Sequence, residues 1–153
     1  MLSQKKKIVP VLASSDIVSG VDCDSIDLLG TKNIALLCVF GATLSGNPVL
    51  TLYSGVAHGD KTTVVTFNYR YGGAAIGAAL ADVLSAIAAS AALTCTGTTF
   101  VSRLLVIEVD VDQITDGHRY LTLQVGSCTA GILTVVAVLN AMYQDPGGDS
   151  MID

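Results

Sequence analysis

Residues 104–125 read LLVIEVDVDQITDGHRYLTLQV. Leu105, Ile107, Val109 and Val111 alternate with Glu108, Asp110 and Asp112, so one face is aliphatic and the other acidic. A period of two is the signature of a β-strand whose side chains point to opposite faces. Asp116-Gly117 then supplies a turn, and RYLTLQVG places Leu121, Leu123 and Val125 opposite Tyr120, Thr122 and Gln124. The stretch predicts two strands joined by a loop, with no helical periodicity.

The same grammar extends in both directions. SIDLLG ends a short strand at Gly30, and NIALLCVFG is a continuous apolar run, the pattern of a strand buried on both faces. SGNP is a turn, VLTLYSG alternates again, and a hairpin between these two segments is expected. After the HGDK turn, TTVVTFNYRYGG puts Val65, Phe67, Tyr69 and Tyr71 on one face. LTCTGTTF turns at Gly97, which would let Leu93–Thr96 pair with the segment beyond that glycine, and ILTVVAVLNAMY is a long last strand. One stretch departs from this pattern. Ile76, Leu80, Val83, Leu84 and Ile87 fall at helical spacing among small residues, predicting an Ala-rich helix, or a loop with a few helical turns, over about 77–90.

These segments make a mainly β protein, a jelly-roll-like β-sandwich of about eight strands. At 153 residues the chain is one domain, expected over 15–143, with a flexible arm over 1–14 and a flexible tail over 144–153. The expected core is Leu36, Val39, Leu50, Leu52, Val65, Phe67, Leu105, Ile107, Val109, Leu121, Leu123, Val136 and Val138.

Charged residues are only 14% of the chain, against roughly 25% in an average soluble domain. So little charge suggests that a partner covers part of the surface. A net charge of −5 argues against nucleic acid as that partner. The run from Gly72 to Leu93 is too rich in Ala and Gly for a membrane span and carries Asp82; Gly73 and Gly77 form an isolated GxxxG. Ile8–Ala13 is too short for a secretory apolar region and contains Pro10. Cys23, Cys38, Cys95 and Cys128 lack zinc-ligand spacing and are expected to be free thiols, as in a cytosolic product.

No reaction is apparent. Glu108, Asp110 and Asp112 read as the solvated face of an edge strand, and Asp22, Asp24 and Asp27 as an acidic turn without the EF-hand frame. His58 and His118 sit in turns, there is no G-x-S-x-G elbow, and Gly72-Gly73 lacks the residues that complete a phosphate loop. Arg70 lies on the opposite strand face from the aromatics of FNYRY, which weakens a base-stacking reading. Neither an enzyme nor a cofactor or metal site is expected.

The order of segments carries a resemblance. VDCDSIDLLGTKNIALLCVFGATLSGNPVLTLYSG, then TFNYRYGG, then VIEVDVDQITDGHRYLTLQVG and finally VVAVLNAMY, from about Ser15 to Tyr143, resemble the capsid decoration (cement) proteins of tailed bacteriophages, of the jelly-roll or β-sandwich type. The resemblance implies a head-stabilising protein made in the host cytoplasm. It would sit on the outer surface of the virion shell, clamp neighbouring major capsid subunits and work as a homo-oligomer, dimer or trimer. The expected capsid contact is the basic arm, Lys5, Lys6, Lys7, Ile8, Val9 and Pro10, together with an apolar surface such as Ala74–Ala92. The competing reading is a non-catalytic carbohydrate- or receptor-binding β-sandwich, which the absence of Trp and 5% aromatic content disfavour. A small hydrolase would need a convergent polar constellation that the sequence does not offer.

Overall fold

The alternating segments form strands and the turn signals separate them. In the computed structural model, which describes residues 6–141, the strands run in the order β1 (Lys6–Asp16), β2 (Val21–Asp22), β3 (Ile26–Asp27), β4 (Thr31–Ser45), β5 (Val49–Gly55), β6 (Thr63–Val65), β7 (Phe67–Tyr71), β8 (Ala88–Ser90), β9 (Ala92–Thr94), β10 (Leu104–Asp110), β11 (Tyr120–Val125) and β12 (Ala130–Ala141). A single helical turn, α1 (Gly97–Phe100), precedes β10.

Sheet I has the order β1-β12-β4-β10-β7-β8, and sheet II the order β2-β11-β5-β6, with β3 also on β11 and β9 also on β5. Every pairing is antiparallel. Two pairs of segments each act as one strand. β2 and β3 are one interrupted strand against β11, and β6 and β7 are one strand that changes sheet at Thr66. The chain then pairs in nested fashion: first strand with last (β1·β12), second with second-last (β2/β3·β11), third with β10, and β5 with β6. Such nesting wraps a long antiparallel ribbon around itself and is the winding of a jelly roll.

The core lies between the sheets. Leu36, Leu105, Ile107 and Leu133 from sheet I meet Leu50, Leu52, Leu121 and Leu123 from sheet II, all fully or nearly fully buried. Phe67 closes one side, and Phe100 of α1 packs its ring 6.1 Å from Phe40 and 5.2 Å from Tyr71. Cys23, Cys38, Cys95 and Cys128 are all free, the first three buried.

Several expectations are corrected. SGNP does not close a hairpin: β4 and β5 belong to different sheets, so the turn carries the chain across the sandwich. β9 pairs with β5, not with the segment after Gly97. In β12 the buried residues are Leu133, Val135, Ala137 and Leu139, so Val136 and Val138 face outward, as does Val39 in β4. The error has a simple cause: in a strand that is apolar on both sides, periodicity cannot say which face is inside. The other ten expected core residues are buried.

Residues 77–90 form no helix. Instead the segment makes successive turns, with Ala78, Ala81 and Val83 each donating to the carbonyl three residues back. Gly77 (φ +88°) and Leu80 (φ +68°) break helical geometry. The amide of Gly73 bonds to Val83, that of Ile76 to Ser102 and that of Ser85 to Tyr71, so backbone groups a helix would pair locally are bonded elsewhere.

The expected flexible arm is also overturned from Lys6 onward, where β1 runs along β12 at the edge of sheet I. Val11 of this strand is buried. Pro10 is tolerated because an edge strand has one unpaired side, and irregularities of register flank Leu12. The predicted tail over 144–153 lies outside the described residues.

Candidate interaction surfaces

The acidic face of β10 is exposed, as expected, but β10 is not an edge strand: it lies between β4 and β7. Glu108 and Asp110 project from its outer face, whereas Asp112 sits in a short 3-10 turn at Val111–Gln113. Among the described residues no group of three or more His, Cys, Asp or Glu is placed to hold a metal ion.

Each carboxylate of the second acidic cluster is bonded to a partner from a distant segment. Asp22 accepts from Lys61 at 2.7 Å and from Gln124 at 3.1 Å. Asp24 meets His58 at 2.9 Å. Asp27 accepts from the Nε of Arg119 at 2.8 Å, and Nη2 of the same guanidinium reaches its other oxygen. The hydrogen bond from Lys61 holds the Asp22 carboxyl below its usual range against a smaller opposing effect of burial, and Arg119 does the same for Asp27. These bonds tie β2 and β3, at the edge of sheet II, to the loop after β5 and to β11 and the residue before it. Ser25 continues the seam, 2.7 Å from Thr122 and accepting from the amide of Gly59.

Ser54 Oγ lies 2.8 Å from His118 Nδ1, a serine–histidine contact that the sequence did not reveal. Ser54 is fully buried, so its hydroxyl is closed to a substrate. The other turn histidine, His58, serves Asp24 and stands edge-on to Tyr120 with ring centroids 6.1 Å apart.

The six residues expected to contact a capsid do not form one patch. Lys5 lies outside the described residues. Lys6, Ile8 and Pro10 point to the outer side of sheet I, while Lys7 and Val9 alternate to the other side, where Val9 packs against the core. A strand packed in this way cannot drape as an arm.

Two apolar surfaces emerge in its place. The first is the loop between β7 and β8, where Ile76, Leu80, Val83 and Ile87 are all more than half exposed. Four of the five side chains whose spacing suggested a helix face are thus presented to solvent, while Leu84 is partly buried. The loop is anchored from below: Arg103 donates to the carbonyls of Gly72 and Gly73, and Arg70 to that of Ser85.

The second is the outer face of sheet I, where register places side chains in transverse rows. One row reads Lys6, Asn140, Asn33, Asp110; the next Ile8, Val138, Ala35, Glu108, Asn68; the next Pro10, Val136, Leu37, Val106, Arg70; and beyond it Thr134, Val39, Leu104. The first two rows line a shallow groove of about 290 Å³. The rows after them are largely aliphatic. A two-layer antiparallel sandwich ordinarily turns polar side chains outward. The continuous apolar runs of β4 and β12 carried this signal, since strands buried on both faces need a further layer that one sandwich does not supply.

No protein-family model matches the chain, and no curated protein matches it. Among solved structures, the crystal structure of the SPBc2 prophage-derived protein YomS is similar, with a TM-score of 0.54 and 10% identity over 88% of this chain and 93% of that one. At that identity the likeness is one of fold.

Proposed function

We propose that the protein is a non-catalytic structural component of a tailed-phage virion. In this reading it binds the outer surface of the capsid and joins neighbouring major capsid subunits. The observation that carries the reading is the exposed loop with Ile76, Leu80, Val83 and Ile87 held out on a rigid β scaffold. Single exposed apolar residues are ordinary, but four on one short anchored loop mark a contact surface. The Ala residues between them allow close approach with little loss of side-chain entropy. The fold shared with a prophage-derived protein is consistent with a phage origin. The test is cosedimentation of purified protein with heads of the phage that carries the gene. Wild-type protein should pellet with heads and raise their resistance to heat, and Leu80→Asp with Ile87→Asp should abolish binding while leaving the far-UV spectrum unchanged. Heads that neither bind the protein nor gain resistance would rule the reading out.

A second reading, a glycan- or receptor-binding module, is favoured by one feature. Tyr120 is half-buried between His58 and Arg119, whose guanidinium lies 5.7 Å from the ring centroid, beside the Asp22–Asp27 seam. Aromatic rings framed by polar groups suit sugar faces. Retention on glycan arrays, lost on Tyr120→Ala, would support it over capsid binding.

A further inference from the structure

We propose that the outer face of sheet I is a self-association surface, on which two copies pack face to face about a two-fold axis running parallel to the strands between β12 and β4. This goes beyond the capsid reading and does not rest on it.

Among the described residues no element covers the outer side of β4, β10 and β12, which carries Leu37, Val39, Val106, Val136 and Val138, of which Val39 is the most exposed at 36%, while their neighbours on the same strands form the core. Four strands about 4.8 Å apart and some four or five rows about 6.8 Å apart give roughly 500 Å² in projection. Accessible area exceeds projection, so the face approaches the ~800 Å² per partner of a standard interface.

Charge identifies the occupant as a second copy. Lys6 on β1 and Asp110 on β10 belong to the same row but are separated by β12 and β4, roughly 14 Å at ordinary strand spacing. They form no ion pair with each other, and among the described residues neither has one elsewhere. The proposed axis superposes β1 of one copy on β10 of the other, and β12 on β4. Each Lys6 then stands over the partner copy's Asp110, and the aliphatic rows meet aliphatic rows. Packed sheets cross at about 30°, which tilts this axis about 15° away from the strand direction, a skew that the long Lys6 side chain has the reach to absorb. No row sets like charges together, as an isologous contact requires, and Glu108 of the second row falls over the partner copy's Ile8 on the edge strand, at the rim of the contact. Asn33 and Asn140, already bonded to one another, lie nearest the axis in the charged row.

The test is sedimentation of the purified full-length protein across a concentration series. Wild type should be a dimer. Val136→Asp, an outward-facing substitution that leaves the core intact, should weaken self-association at least ~100-fold. Lys6→Asp and Asp110→Lys should each weaken it about 10-fold, and the double variant should recover most of the loss, because the swapped pair still meets across the axis. A monomer at every concentration, a trimer, a dimer untouched by Val136→Asp, or a double variant as weak as the sum of its parts would each overturn the proposal. Head binding is not the readout, so this face and the capsid reading can fail separately.

Discussion

Asp27 and Arg119 form a two-pronged ion pair between β3 and the start of β11, with both guanidinium nitrogens Nε and Nη2 engaged. Arg119 depresses the Asp27 carboxyl, as Lys61 depresses that of Asp22. A carboxylate depressed on folding contributes stability that is complete above its unfolded pKa, about 3.9, and disappears as pH falls through the lower folded value. Unfolding midpoints in urea should therefore drop below about pH 4. Arg119→Met should lower stability at pH 7 by under ~1 kcal/mol, because the pair is partly exposed, and the difference from wild type should shrink as pH falls below about 4.

The core and the outer face should answer truncation differently. Phe67→Ala removes a buried ring and should cost about 3–5 kcal/mol in chemical denaturation. Val39→Ala, on the same sheet but facing outward, should cost under ~1 kcal/mol when measured on the monomer. Equal losses would contradict the side-chain phase of β4.

Gly97 is pinned by the chain beside it. A Cβ there would sit 2.2 Å from the carbonyl oxygen of Leu44, which is backbone and cannot swing away. Gly97→Ala should destabilise by roughly 1–3 kcal/mol, through displacement of α1. Thermal melts of Gly97→Ala beside Gly117→Ala, whose added Cβ meets nothing within 4 Å, separate crowding from the cost of a positive φ.

Thiol reactivity should report the layering. Burial pushes the Cys23 and Cys95 thiols up to about 12 and raises that of Cys38 well above its ordinary value, whereas Cys128, also raised, is only partly covered. Ellman's reagent at pH 8 should titrate Cys128 quickly and the other three only after denaturant is added, since the thiolate is the reactive form.

Replacing Glu108, Asp110 and Asp112 with Gln, Asn and Asn should leave the fold intact, and calcium should not shift the melting temperature. A saturable calcium-dependent rise would reveal a site, because a ligand bound only by the native state stabilises it.

Much of this architecture is readable in the residues. The alternation in β7, β11 and the second half of β10 fixes both strand and inward face, since a polar residue marks the outside at every second position. Legibility fails where that contrast is lost. β12 has no polar residue between Ile132 and Leu139 except Thr134, so its phase is ambiguous. The SGNP turn announces a change of direction but not whether the chain pairs locally or crosses to the other sheet. The loop at 73–87 has helical spacing without a surface to pack on, and tertiary hydrogen bonds decide its shape. The ion pairs of Asp22, Asp24 and Asp27 depend on partners brought in from other strands, which spacing cannot foretell.

The nested pairing that defines the winding also sets an order of events. Lys6 meets Asn140 and Ile8 meets Val138, so the neighbour of the first described strand is the last of the described strands to be synthesised. At ~5–20 residues per second the ribosome needs roughly 6–27 s to pass from β1 to the end of β12. Throughout that interval β4 lacks β12, and its two apolar faces have no finished sheet to join. Non-local contacts of this kind slow folding by the loop-closure entropy that must be met first. The protein should thus collapse only after release of its C-terminal region, and chains truncated before Ala130 should accumulate as aggregates rather than as a smaller folded unit.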